Sequence, residues 1–258
     1  METPKNKSVS KMLSILDCFT PSYPERGITE LAELLDLKKS NVHSLVSTLV
    51  QHGMLEKNEQ TGKYTLGLKL LTYSHTIISC MAARKIMIPY LIKLCQICGE
   101  NVTLCMPNGT NVLYLDTLSP TVSYVQELVV GRSTPMYCTG VGKALLAFSD
   151  DSLVETVLSQ RLIMFTENTI VDPVALRKEL EITRKRGYGF ASGEWHSGRA
   201  SLGMPVFDRQ HKLIAGISIS GQAQQFGEDR CAFFSDNLRD TISSIESIIG
   251  YGSPYHFG

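Results

Sequence analysis

The 258-residue chain carries 25 basic and 25 acidic side chains, and 43% of its residues are hydrophobic against 19% charged. That composition is ordinary for a soluble globular protein and excludes a broad polycationic surface, while leaving room for a local basic patch of the kind a DNA reader needs. No run reaches the roughly 18 uninterrupted apolar residues of a membrane span. The N-terminal METPKNKSVSKMLSIL lacks a long apolar core and a small-residue cleavage site, so a cytoplasmic protein of two modest domains is expected. The seven cysteines are an odd number scattered over a sizeable chain, which reads as reduced thiols rather than a disulfide framework.

Val9, Met12, Leu13, Ile15 and Leu16 fall at helical spacing, and the proline-rich TPSYPERG ends that helix. In the following stretch Thr29 is the expected cap of a short helix bearing Leu31, Ala32, Leu34 and Leu35. After a tight break at DLKKS, Ser40 is the expected cap of a second helix with Val42, Leu45, Val46, Leu49 and Val50 on its apolar side. The other side of this second helix is small and polar: Asn41, His43, Ser44, Ser47 and Thr48. Two such helices describe either a helix-turn-helix or a plain αα corner. In the first reading Asn41 and His43 bond base edges, the short Ser40, Ser44 and Ser47 let the helix sit deep in a major groove, and Lys38 and Lys39 hold phosphates at the helix start. Next, MLEKNEQTGKYTLG predicts a hairpin with its turn at residues 58–62; it is either a wing whose Lys57 and Lys63 touch DNA or a cover for the core.

Helical periodicity resumes from Leu66 to Gly99, with a bend expected near 79–83 or at Pro89. Beyond it NVTLCMPNGTNVLYLDTL, TVSYVQELVV and KLIAGISISG predict strands, and helical patterns cover 142–149, 150–160, 173–187 and about 229–249. Antiparallel strands interleaved with helices make an α+β domain. The expected division is a DNA-binding domain at 1–67, a linker helix at 68–82 and a ligand-binding domain at 83–258.

Three stretches carry the residue types of chemistry. CTGVGKALLAF, residues 138–148, suggests a phosphate loop, but that loop needs a glycine five positions before Gly142 and a hydroxyl after the lysine, and Tyr137 and Ala144 stand there. What survives is a glycine turn feeding a helix N-terminus, with Lys143 expected at the surface or helix edge. CQIC, with Cys95 and Cys98, falls inside a helical pattern and has no second pair at metal-ligand spacing, so packing cysteines and no metal are expected. GEWHSGR gathers Glu194, His196 and Ser197, a hydrolase's ingredients, yet adjacent residues in a turn rarely face one another and no nucleophile elbow is present. The plainer reading is a loop at a pocket rim, with Trp195 as its wall.

SVSKMLSILDCF, ITELAELLDLKKSNVHSLVSTLVQHGMLEKN, GKYTLGLKLL, PMYCTGVGKALLAF and TRKRGYGFASGEWHSGRASLGMPVFDRQHKLIAGISISG, in that order and spacing, resemble the IclR family of bacterial transcription regulators across nearly the whole chain. The resemblance implies an N-terminal winged helix on a palindromic double-stranded operator, a recognition helix at about residues 39–52, and a C-terminal GAF-like domain that takes up a small metabolite. It further implies a homodimer or dimer of dimers, and neither an enzyme nor a cofactor. The effector pocket is implied at Gly140, Val141, Ser201, Ser218 and Ser220. Ala191 stands where relatives tend to be acidic and Ser201 where they often have cysteine, leaving Glu194 of the usual acidic cluster. These departures point to a small organic or sugar acid, its carboxylate at the glycine turn and its hydroxyls on the serines. Coupling would pass through the linker helix. The alternatives from other classes are a hydrolase using residues 193–199 and a protein-interaction module.

Overall fold

The computed structural model describes residues 6–120 and 131–249, so the expected strand at 121–130 lies outside the described residues. The chain divides into two compact units, Met1–Cys80 and Met81–Gly258.

The first unit runs α1 (Lys7–Asp17), α2 (Ile28–Leu34), α3 (Lys39–Gln51), β1 (Leu55–Lys57), β2 (Tyr64–Leu66) and α4 (Lys69–Cys80). Asn6 caps α1 by accepting from the Ser8 and Val9 amides. Both expected caps further on need correction. Thr29 lies inside α2, whose cap is Gly27 with its N–H held by Glu30 at 3.1 Å. Ser40 lies inside α3, which begins after Lys38 and has no side-chain cap. In both cases the cap lies two residues earlier than the Ser/Thr preference suggests. Asp36, at φ +50, makes the tight turn between the two helices. Ile15, Leu31, Val42, Val46, Leu49 and Leu55 close the core of this unit. The strands β1 and β2 pair antiparallel from Leu55↔Leu66 to Lys57↔Tyr64, the hairpin the sequence predicts.

In the second unit, α5 (Ala82–Cys98) leads into β3 (Asn101–Asn108), β4 (Asn111–Leu118) and β5 (Ser133–Pro135). Then come α6 (Gly140–Ala147), α7 (Asp151–Leu158), α8 (Pro173–Arg186), β6 (Gly189–Ser192), β7 (Arg199–Phe207), β8 (Leu213–Gln222) and α9 (Glu228–Ile249). The helical bend falls at Met81, between α4 and α5, and not at Pro89, which α5 contains without interruption. The start of α8 follows its sequence closely: Asp172 accepts from the Val174 and Ala175 amides, Pro173 takes the first position, and Gly187 ends the helix at φ +81. Among the described residues of this unit, six strands form one antiparallel sheet in the order β5-β4-β3-β8-β7-β6. Against one face, Leu104, Leu202, Met204, Ile217 and Ile219 pack with the apolar sides of α5 and α9. Against the other lies α6, with Val141 and Leu145 buried on the sheet. Each fully buried aliphatic of this kind contributes about 1.5–3 kcal/mol relative to exposure.

Candidate nucleic-acid interface and effector site

On α3 the buried side chains are Val42, Val46 and Leu49, which leaves Lys39, Ser40, Asn41, His43, Ser44 and Ser47 exposed together with Lys38. The expected polar reading face is therefore one continuous surface at the helix spacing. No side chain caps α3, although the Asn41 amide donates 2.9 Å to the Lys38 carbonyl; an uncapped helix start is where a phosphate can be received. Ser47 Oγ donates 2.8 Å to the His43 carbonyl and Thr48 Oγ1 donates 3.1 Å to that of Ser44, so these hydroxyls are held against the helix. The wing differs from its expectation in charge. Lys63 Nζ is 2.8 Å from Glu30 Oε1 and Lys57 Nζ is 3.7 Å from Glu59 Oε2, so both expected cations are already matched by carboxylates. Bonding to Lys63 holds the Glu30 carboxyl below its usual range. Asn58 orders the hairpin turn by accepting from the Gln60 and Thr61 amides and donates to Glu25.

In the second unit the register places the other set. Ser201 pairs with Ser220, and Ser218 pairs with Gly203 on one side and Thr103 on the other. Gly203 and Gly216 face Val141, so these strand positions and the serines alternating with them look toward α6. Thr103 pairs with Thr117, their hydroxyls 3.4 Å apart, which extends the hydroxyl row onto β4. Thr103 and Thr117 are missing from the sequence reading, although the alternation of NVTLCM, polar at 101 and 103, carried the signal. The row Thr117, Thr103, Ser218, Gly203 and the neighbouring row Asn101, Ser220, Ser201, Ala191 thus share one face.

Gly140 at the start of α6 and the strand glycines beneath it, Gly203 on β7 and Gly216 on β8, allow close packing. A Cβ on Gly203 would lie 2.5 Å from Val141 Cα and one on Gly216 2.5 Å from Val141 Cγ2, so the helix rests directly on the strands. Gly140 sits against the Ser201 backbone in the same way. Its N–H donates 3.0 Å to Ser201 Oγ, and that of Gly142 donates 3.1 Å to Thr139 Oγ1, the cap of α6. A carboxylate at this turn therefore competes with Ser201 for the Gly140 amide.

Lys143 overturns its surface assignment: its side chain is 1% exposed. Its Nζ donates 2.6 Å to Glu194 Oε1 and 3.1 Å to the Phe190 carbonyl, and stands 3.8 Å from Glu179 Oε1. Glu179 in turn pairs with Arg186 at 2.9 Å. Burial pushes the Glu194 carboxyl above its usual range, while Lys143 pulls it back. The second oxygen, Oε2, is buried without a hydrogen-bond partner. A flanking lysine reads as a surface residue in sequence because its partner lies 51 positions away.

The same geometry bears on the hydrolase alternative. Glu194 is bonded to Lys143 and His196 Nε2 stands 3.1 Å from Arg132 Nη2, partners other than the acid–histidine contact on which a triad is built. Trp195 packs against Phe165, with ring centroids 4.3 Å apart, and Arg132 lies over its ring at 5.7 Å. Thr169 Oγ1 donates 2.7 Å to the Glu194 carbonyl, and Thr166 Oγ1 donates to that of Gly193, tying the loop down. Cys95 and Cys98 are buried on the core side of α5. Burial pushes the Cys98 thiol up to about 11 and raises that of Cys95, disfavouring the thiolate that redox or metal chemistry uses.

Comparison with known proteins agrees with this architecture. The IclR helix-turn-helix domain model matches residues 8–59, and the model for the C-terminal domain of bacterial transcriptional regulator IclR matches residues 75–247. The chain is 31% identical over 248 residues to the HTH-type transcriptional regulator KipR of Bacillus subtilis, covering 96% of this chain and 98% of that one. It is 28% identical to the transcriptional repressor IclR of Escherichia coli over 231 residues, 88% of this chain and 84% of the relative. Among solved structures, Thermotoga maritima IclR superposes with a TM-score of 0.65 at 28% identity, covering 95% of this chain and 99% of that one. With both units matched in order, the chain belongs to the IclR family of transcriptional regulators.

Proposed function

We propose that the exposed face of α3 reads a palindromic operator and that a small organic or sugar acid, bound on the hydroxyl face of the sheet, controls operator affinity. The observation that carries the first part is the continuous surface of Lys38, Lys39, Ser40, Asn41, His43, Ser44 and Ser47 beside an uncapped helix start. The second part rests on Ser201, Ser218 and Ser220 sharing one face beside Gly140 and Val141, with Thr103 and Thr117 alongside. Domain roles follow: residues 1–67 bind DNA, 68–82 link, and 83–258 sense, in a cytoplasmic protein.

A second copy of the chain completes the reading. The helix α4 has no buried residue, and Leu71, Tyr73 and Ile77 on it are exposed, as are Val9 and Leu13 on α1. A helix that buries nothing against its own unit draws its stability from a partner surface, and a two-fold dimer matches a two-fold operator.

The control is thermodynamic linkage: the effector changes operator affinity by its differential affinity for the two arrangements, and the operator changes effector affinity by the same factor. A salt-titrated gel shift on the DNA upstream of the protein's own gene tests the regulator, and tight, salt-sensitive, sequence-selective binding is expected. Calorimetry with paired acids and amides tests the effector class. The acid of a binding pair is expected to be tighter by about tenfold, since a charged acceptor at an amide contributes about 1.5–3 kcal/mol; equal affinities remove the carboxylate.

A further inference from the structure

The tightest ion pair at the entrance to the second unit has no place in the binding surfaces described above. Arg84, in the first turn of α5, sets Nε 2.6 Å from Asp116 Oδ2 and Nη2 2.5 Å from Asp116 Oδ1. The two side chains are only 24% and 13% exposed. A two-pronged guanidinium–carboxylate contact of this kind fixes direction as well as distance, because both groups are planar.

Its position in the chain gives it leverage at both ends. Met81 separates α4 from α5 with ψ 83, the residue at which the two compact units divide, and Arg84 follows three positions later. Asp116 lies at a bulge in β4: Leu104 pairs with Asp116 and Cys105 with Tyr114, so Leu115 is the extra residue. Asp116 thereby turns to the face that α5 covers. Its neighbour Thr117 turns to the opposite face, where it meets Thr103 and, through Thr103, the strand position of Ser218. A single peptide unit of β4 separates the hydroxyl row from the carboxylate that holds the start of α5.

We propose that Arg84 and Asp116 are a positioning pair that passes a change on the hydroxyl face of the sheet to the break between α4 and α5. The proposal rests on reading that face as the effector site and adds how its occupancy leaves the sheet. Close-packed interiors shift between discrete arrangements rather than deforming smoothly. Movement of β4 at Thr117 therefore carries Asp116, and the fork obliges the first turn of α5 to follow. A lysine at position 84 would keep the charge and lose the fork.

The experiment uses the full-length chain and needs no identified effector. Ser218→Met fills the hydroxyl row as a fixed occupant, and Cys80, exposed at the end of α4 in the single chain, reports the break in variants matched for oligomeric state. The rate of its alkylation by N-ethylmaleimide is followed by peptide mass mapping. Ser218→Met is expected to change that rate about fivefold or more, the lower end of ordinary coupling between sites. With Arg84→Lys added, the change should fall below about twofold while Ser218→Met shifts Tm equally in both backgrounds. The exchanged pair Arg84→Asp with Asp116→Arg should restore it, which a purely structural role of either residue does not predict. If Arg84→Lys lowers the folded population, the isosteric Asp116→Asn takes its place. An undiminished response in the fork-less chain overturns the proposal, and so does the absence of any response to Ser218→Met in the otherwise unchanged chain. The regulator reading stands or falls separately, on the gel shift.

Discussion

Replacing Lys143 by methionine is expected to destabilise the second unit by about 3–5 kcal/mol, measured by urea unfolding of the full chain. The side chain is 1% exposed and its ammonium is the hydrogen-bonding partner of a carboxylate whose other oxygen already lacks one. Methionine fills a similar volume, so the cost comes from charge rather than from a cavity. Glu194 is left as a buried acid without its ammonium partner. Exchanging both partners, Lys143→Met with Glu194→Met, is expected to recover most of the loss, because Glu179 keeps Arg186 and no buried charge is stranded. A double variant as unstable as the single one would show that packing, not charge, holds α6.

The pH dependence of the single variant follows from the direction of the Glu194 shift. Burial raises its carboxyl above the usual value and Lys143 opposes that rise. A group raised in the folded state contributes stability that is full below its unfolded pKa, roughly 4.3 for glutamate, and that is lost as pH rises through the folded value. Removing Lys143 lifts the folded value further and deepens that loss. The penalty of Lys143→Met should therefore be smaller near pH 5 than at pH 8, and an equal penalty at both would contradict the assignment of Glu194 as the stranded acid.

Periodicity made the first unit legible almost residue by residue. Val42, Val46 and Leu49 announced the buried side of α3, and the alternation around Tyr64 announced the wing. Caps were less legible, because neither Gly27 nor Lys38 caps with its own side chain: Gly27 relies on Glu30 at the third helical position and Lys38 makes no side-chain cap bond. In the second unit the strands β3, β4 and β8 stood out by β-branched alternation, but β7, RASLGMPVF, contains Gly203 and Pro205 and carried no such signal. What no local pattern could supply was contact between distant residues. The pairs Lys143–Glu194 and Arg84–Asp116 join segments 51 and 32 positions apart. The role of the strand glycines was likewise hidden: a glycine leaves space for a ligand or for a neighbouring element, and the position of Val141 over Gly203 and Gly216 shows that these two make room for α6.

The charge pattern of the first unit leads to the second large effect, on operator affinity. Replacing Lys38 and Lys39 together by alanine is expected to lower the slope of log affinity against log salt by about 1.8, since each phosphate contact contributes about 0.9. Near 0.1 M salt that corresponds to a loss of about one to two decades of affinity. Lys57 and Lys63 should contribute much less, because Glu59 and Glu30 already neutralise them and a DNA contact would first have to break those pairs. Asn41→Ala and His43→Ala should leave the slope unchanged and relax the base preference at particular positions by about 1–3 kcal/mol. The slope therefore separates residues that hold the backbone from residues that read the bases. If the paired lysine variant kept the full slope while the wing variants lost it, the hairpin rather than the start of α3 would be the element that grips the phosphates.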